Sequence, residues 1–216
     1  NTDGLYNTAI GYEALKTNVD GDKNTAVGYG ALKTMEPSGG DSENTAVGYQ
    51  AGTAVSTGED NTLIGANAGL ALTTGNKNVV VGDNAFQAAQ DVDNVVSIGR
   101  GSLYTANHIA TDGTVAIGKN ALKLWNPSSG SATGGQMVAV GYLALAAALE
   151  GASQNTAVGY HALTALTTAT HNIGIGNQAL KLITTNGDNT AVGHAAGQNC
   201  VVGTSGGTNN TCIGNS

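Results

Sequence analysis

Three glycine-bearing segments of the 216-residue chain have the residue types that bind phosphate or activate a nucleophile. Gly174-Ile175-Gly176-Asn177-Gln178-Ala179 has the spacing of a dinucleotide-binding turn, Gly113 to Lys119 approaches a phosphate loop, and Gly203-Thr204-Ser205-Gly206-Gly207 resembles a nucleophile elbow. Each chemistry needs a context. The turn and the loop need a helix whose N-terminal amides face the phosphate, and Asn120 stands where the loop requires Ser or Thr. The elbow needs an acid and a histidine in a workable order. No segment is followed by a long helical pattern, and all three reuse a glycine that recurs along the chain. No catalytic constellation is read, and the chain is not expected to be an enzyme.

Metal and redox chemistry have no better footing. His108, His161, His171 and His194 share no repeat position and no His-x-His or His-x-x-x-His spacing. One of them could meet its copies on a trimer axis, but no metal and no cofactor is expected. Asp20-Gly21-Asp22 and Asp91-Val92-Asp93 stop short of a calcium loop and read as solvated turns. Cys200 and Cys212 fall on opposite faces of neighbouring strands, so both read as packing thiols rather than a bridge.

Aromatic rings are the remaining candidates. Trp125, the single tryptophan, stands beside Asn126 in a polar stretch, where its ring could stack on a sugar while amides and hydroxyls meet the sugar's own hydroxyls; alternatively it folds back to anchor its own loop. Tyr12, Tyr29, Tyr49, Tyr142 and Tyr160 recur at one position and offer either a carbohydrate platform or plain packing with the hydroxyl in water.

The element that must position these side chains is a repeat. Glycines preceded by Ile or Val stand at 11, 28, 48, 65, 82, 99, 118, 141, 159, 176, 193, 203 and 214, most often 17 residues apart. Such a period marks a solenoid, whose units cannot bury an apolar face alone and must stack. Relative to this anchor glycine, position −1 is always Ile or Val, position −3 is nearly always Thr, Val or Ile, and position −2 is mostly Ala. Position −4 is usually Asn, which suggests an amide ladder along the stack. The best-formed units are Asn44-Thr45-Ala46-Val47-Gly48-Tyr49 and Asn155-Thr156-Ala157-Val158-Gly159-Tyr160. Each supplies a short strand closed by a glycine turn, followed by an Ala-Leu corner at +3 and +4. The expectation is an all-β parallel β-solenoid of about thirteen repeats, on the order of 60 Å long at the usual strand spacing. One domain spans 1–216, with longer loops at 33–43 and 123–136.

Composition sets limits. The net charge of −7, with no Lys/Arg cluster in the sequence, leaves little to neutralise a nucleic-acid backbone. No apolar run approaches the roughly 20 residues of a membrane span. Charged residues are 11% and aromatics 4%, beside 33 glycines, which suits a close-packed β-roll. With no signal segment at its start and a repeat at each end, the chain reads as a fragment or a processed product.

Alternation puts −3 and −1 on one strand face, expected to be core, and the alanines on the other. The alanine face then needs a cover, and another copy of the chain supplies it. A flat threonine array that orders water, as on an ice-binding monomer, competes with this; the shared Ile/Val column argues against it.

Val115-Ala116-Ile117-Gly118, Val138-Ala139-Val140-Gly141 and the Asn-Thr-Ala-Val-Gly-Tyr units resemble the head repeats of trimeric autotransporter adhesins. The Tyr after glycine, the Ala-Leu corner and the Thr-Thr-Gly returns are still more similar to repeat arrays of bacteriophage tail fibres, found upstream of an endosialidase-type chaperone domain. The resemblance implies a left-handed, homotrimeric β-roll located in a virion as part of a tail fibre or, alternatively, outside a bacterium or on its surface as an adhesin head or secreted filament. It further implies an attachment role with cell-surface carbohydrate as partner.

Overall fold

The computed structural model describes residues 3–37, 40–106, 112–125, 136–198 and 207–215. Fourteen strands follow in chain order: β1 (Thr8–Ile10), β2 (Gly21–Asp22), β3 (Thr25–Val27), β4 (Gly40–Asp41), β5 (Thr45–Val47), β6 (Thr62–Ile64) and β7 (Val79–Val81). They continue with β8 (Val96–Ile98), β9 (Val115–Ile117), β10 (Val138–Val140), β11 (Thr156–Val158), β12 (Ile173–Ile175), β13 (Thr190–Val192) and β14 (Thr211–Ile213). Among the described residues there is no helix.

Twelve of these strands form one parallel sheet in strict sequence order, so eleven turns connect them; β2 and β4 pair separately. Position −3 pairs with −3 and −1 with −1 on every rung, as in Thr45↔Thr62 and Val47↔Ile64. The architecture is therefore a parallel β-solenoid, about 53 Å long for eleven steps of strand spacing. The sequence suggests thirteen rungs. In the structure β13 pairs directly with β14, Thr190 against Thr211, so the last two short steps count as one turn.

Which strand face is inside corrects the expectation. The alanine column is the interior: Ala26, Ala46, Ala116, Ala139, Ala157 and Ala191 are fully buried. The invariant Ile/Val column points outward, with Val47, Ile64, Ile175 and Val192 all exposed and Ile10 more so at the end. The cover over the alanines is the chain's own return leg. Leu32, Leu103, Leu122, Leu145 and Leu163 at +4, with Met35, Val55, Leu72 and Leu166 at +7, fill the interior. The cross-section is narrow, so small residues on one wall admit large ones from the other.

Departures from the pattern compensate in volume. Leu63 replaces alanine at −2, and the adjoining corners lose their leucines to Gly52 and Gly69; a Cβ on Gly52 would lie 2.5 Å from Leu63 Cδ1. At another such site, Gly174 replaces alanine beside Leu163, whose Cγ would lie 3.1 Å from an added Cβ. Ser97 and Ser102 form a buried hydroxyl pair at 2.6 Å across the same gap.

Each turn is closed by left-handed residues at fixed positions. Position +2 has positive φ at Asn84 (52°) and Asn120 (59°), +4 at Leu103 (46°) and Leu122 (49°), and −5 at Lys23 (58°) and Asp188 (59°). For leucine this backbone costs about 1–2 kcal/mol, offset by roughly 2 kcal/mol from burying the side chain. At the anchor, φ near +130° and close stacking together demand glycine: a Cβ on Gly82 would stand 2.7 Å from the Gly99 carbonyl carbon.

Candidate functional site

The +1 column follows the anchor glycine out of the sheet, so its side chains stand along one exposed edge of the rod. There the tyrosines form two ladders. Tyr12, Tyr29 and Tyr49 stack at centroid distances of 5.5 and 5.3 Å, and Tyr142 stacks on Tyr160 at 5.4 Å. All five are exposed, yet as a sugar platform the ladder is largely self-occupied. A sugar ring docks on an aromatic face, and the interior faces are spent on the neighbouring tyrosines.

Trp125 is not a surface platform. It lies seven residues after Gly118, at the +7 position that Met35, Val55 and Leu72 also occupy, and it is fully buried. Its indole Nε1 donates to the Ala152 carbonyl at 3.1 Å. The two neighbours in its column, Ala106 and Ala148, are small, which leaves room for the ring. Asn126 and the rest of that stretch through 135 lie outside the described residues, as do His108 and Cys200. Cys212 is half-buried in the inward column, against Ala191.

The repeat residues themselves form the frame. Asn44 and Asn155 belong to a buried amide ladder in which each Oδ1 accepts from the next rung: Asn61 N to Asn44 Oδ1 is 3.0 Å, and Asn172 N to Asn155 Oδ1 is 2.9 Å. Their Nδ2 groups donate inward, Asn44 to Gly58 O at 2.8 Å and Asn155 to Ala169 O at 2.8 Å. Gly48 and Gly159 turn the chain after Val47 and Val158, which face out.

Between the two tyrosine ladders the edge changes chemistry. The +1 column reads Asp83, Arg100, Lys119 on consecutive rungs, and Lys123 and Tyr104 stand opposite at +5. Arg100, Lys119, Lys123 and Tyr104, together with Asn84 and Asn120, surround a groove of about 500 Å³ over Gly101. Arg100 Nε donates to Asp83 Oδ2 at 3.2 Å. Lys119 Nζ lies 5.8 Å from the Tyr142 ring centroid. These cations are 19 and 4 residues apart, so only the coil spacing reveals them as a cluster. The sequence signal is the switch from Tyr to charge in the +1 column.

Elsewhere the edge is held by exposed ion pairs. Glu13 meets Lys16 and Lys33, each at 2.6 Å, and these contacts hold its carboxyl below the usual range. His161 packs edge-on to Tyr160 with centroids 4.3 Å apart. Burial, and secondarily the charge of Lys181, lower its pKa. Among the described residues no group of three or more His, Cys, Asp and Glu could hold a metal ion, and no helix is long and apolar enough to cross a membrane.

Compared with protein-family models, with curated proteins and with solved structures, the chain matches none.

Proposed function

We propose that this chain is a rigid segment of a bacteriophage tail fibre, assembled as a homotrimer and displaying its edge to glycans of a bacterial surface. The observation that carries the reading is the outward sheet face. Two columns of β-branched residues, −3 and −1, run in register along twelve strands and remain partly or fully exposed in the single chain. A continuous apolar face of this kind, on the order of 50 Å long at the usual strand spacing, marks an interaction surface. Three copies turned inward would bury it on one axis, which replaces the alanine face as the contact. The buried amide ladder and stacked glycines make the rod stiff, as a spacer between particle and host requires.

Light scattering on a size-exclusion column tests this. A trimer of 21.3 kDa chains has a mass of about 64 kDa. Ile64→Lys with Val81→Lys places charge on the outward face without touching the interior, so it is expected to yield folded monomers. A wild-type monomer at every concentration would sink the trimeric reading.

One observation favours a second reading. The outward face carries threonine on β1, β3, β5, β6, β11, β13 and β14, an arrangement suited to ordering water on a monomeric ice-binding solenoid. Valine or isoleucine interrupts that column from β7 to β10 and at β12. Thermal hysteresis of a monomeric preparation separates the two.

A further inference from the structure

We infer that the groove beside Arg100, Lys119 and Lys123 binds a saccharide carrying a carboxylate or a sulfate ester. The inference deepens the glycan-contact part of the reading above and rests on it, but it does not depend on the trimer.

The groove lies over a rung that lacks a side chain at +2. Position +2 is Asn84, Gly101 and Asn120 on consecutive turns, and a Cβ on Gly101 would stand 2.8 Å from Asn120 Oδ1. The groove over Gly101 has a volume of about 500 Å³, within the range of small-ligand sites and large enough for one or two sugar rings.

Its lining is suited to an acidic sugar. Arg100 is tethered through Nε to Asp83, which orients a guanidinium whose geometry matches a planar carboxylate. Lys119 and Lys123 make no ion pair with any carboxylate among the described residues, so their charge is uncompensated. The Asn120 side chain brings an amide to hydroxyl partners, while that of Asn84 is held between Asp83 and Asn67. Tyr104 is 36% exposed and has no stacking tyrosine on a neighbouring rung, since +5 on the adjoining turns is Gln87 and Lys123. A ring face is therefore open to the C–H side of a sugar.

The same charges argue against an extended polyanion. The chain carries −7 overall, so everything outside these three cations sums to −10. A nucleic acid would run from a small basic patch into a repelling surface. A single charged residue of a glycan, flanked by neutral sugars, would not.

The test is titration of the intact chain, followed by NMR, with sodium glucuronate, N-acetylneuraminate, glucose 6-sulfate, neutral glucose and inorganic sulfate at low salt. Two variants accompany it: Lys119→Gln with Lys123→Gln, both at the surface, and Gly101→Asn, which fills the groove at a φ of 65° that Asn tolerates. Expected is saturable binding of at least one acidic sugar, at least tenfold weaker in either variant, with glucose much weaker and added salt reducing affinity. Binding unchanged in both variants would overturn the site. Inorganic sulfate matching the best sugar would reduce it to an adventitious ion only, and no binding by any acid would overturn it outright. Retained binding of both variants to immobilised whole glycans, with the small probes silent, would reject this groove while leaving the attachment role intact.

Discussion

The side-chain amide of Asn61 donates to Oδ1 of Asn44 at 3.0 Å, one full turn of the solenoid away. Asn61 also donates to Gly75 O at 2.9 Å and accepts from Asn78 N and Nδ2 at 3.1 and 3.0 Å. Asn61→Ala leaves Asn78 N and Gly75 O unpaired in a dry interior, and each orphaned group costs about 1–3 kcal/mol. The urea midpoint is expected to fall markedly, and much less for Asn7→Ala, since Asn7 is half-buried at the first rung. Equal losses at the two positions would mean that the amides fill space rather than link turns.

The anchor glycines answer to the neighbouring turn as much as to their own. Gly82→Ala places a methyl 2.7 Å from Gly99 C at a φ of 136°, with an expected cost of about 3 kcal/mol or more. Gly113 also has positive φ (72°), but among the described residues nothing lies within 4 Å of an added Cβ, so Gly113→Asn is expected to cost under about 1 kcal/mol. Paired thermal melts of the two variants check the contrast.

Thr114 occupies the −4 column between Val95 and Met137 and is fully buried, and its hydroxyl oxygen has no hydrogen-bond partner among the described residues. Thr114→Val keeps the shape and removes the unpaired hydroxyl. Stability is expected to rise by about 1 kcal/mol, measured as a higher urea midpoint at unchanged slope.

Trp125 makes a local reporter. Its fluorescence is expected to be blue-shifted and shielded from acrylamide until the rod unfolds, because the indole is buried. Trp125→Ala should cost about 3–5 kcal/mol through cavity formation. Any loss of glycan binding should track unfolding. A quenchable, red emission in the native state would contradict the burial.

His161 carries a pH dependence of definite sign. Its folded-state pKa is lowered, chiefly by burial, so between its folded and unfolded values the unfolded chain holds more protons and stability rises with pH. The contribution is complete above the unfolded value, near 6.5, and is lost as pH falls through the folded one. Comparing melting temperatures of wild type and His161→Gln at pH 7.5 and 5.5 isolates it: wild type should lose more on acidification.

The period, the strands and their register are legible in the spacing of glycines preceded by Ile or Val, because every other column is defined relative to that mark. The inside of the coil is not. Thr45 and Val47 look more core-like than Ala46, yet Ala46 is inside, because a coil this narrow has room for a leucine from the opposite leg only where the facing residue is small. Trp125 is legible in hindsight as Gly118 plus seven, a column buried from Met35 onward. The left-handed leucines are not, since nothing in a leucine announces positive φ. Arg100, Lys119 and Lys123 are scattered in sequence and meet only because 17 to 23 residues make one turn.

The buried amide ladder is interrupted at one place: between Asn78 and Asn155 its column is filled by Val95, Thr114 and Met137. A solenoid transmits load through its rungs in series, so under tension along the axis the whole rod carries the same force and yields at its weakest joint. The joint expected to yield is the stretch without amide-ladder links, which is also where the basic groove lies. A pull applied through anything held in that groove would enter the rod at its own fuse, while the amide-linked rungs on either side keep their shape.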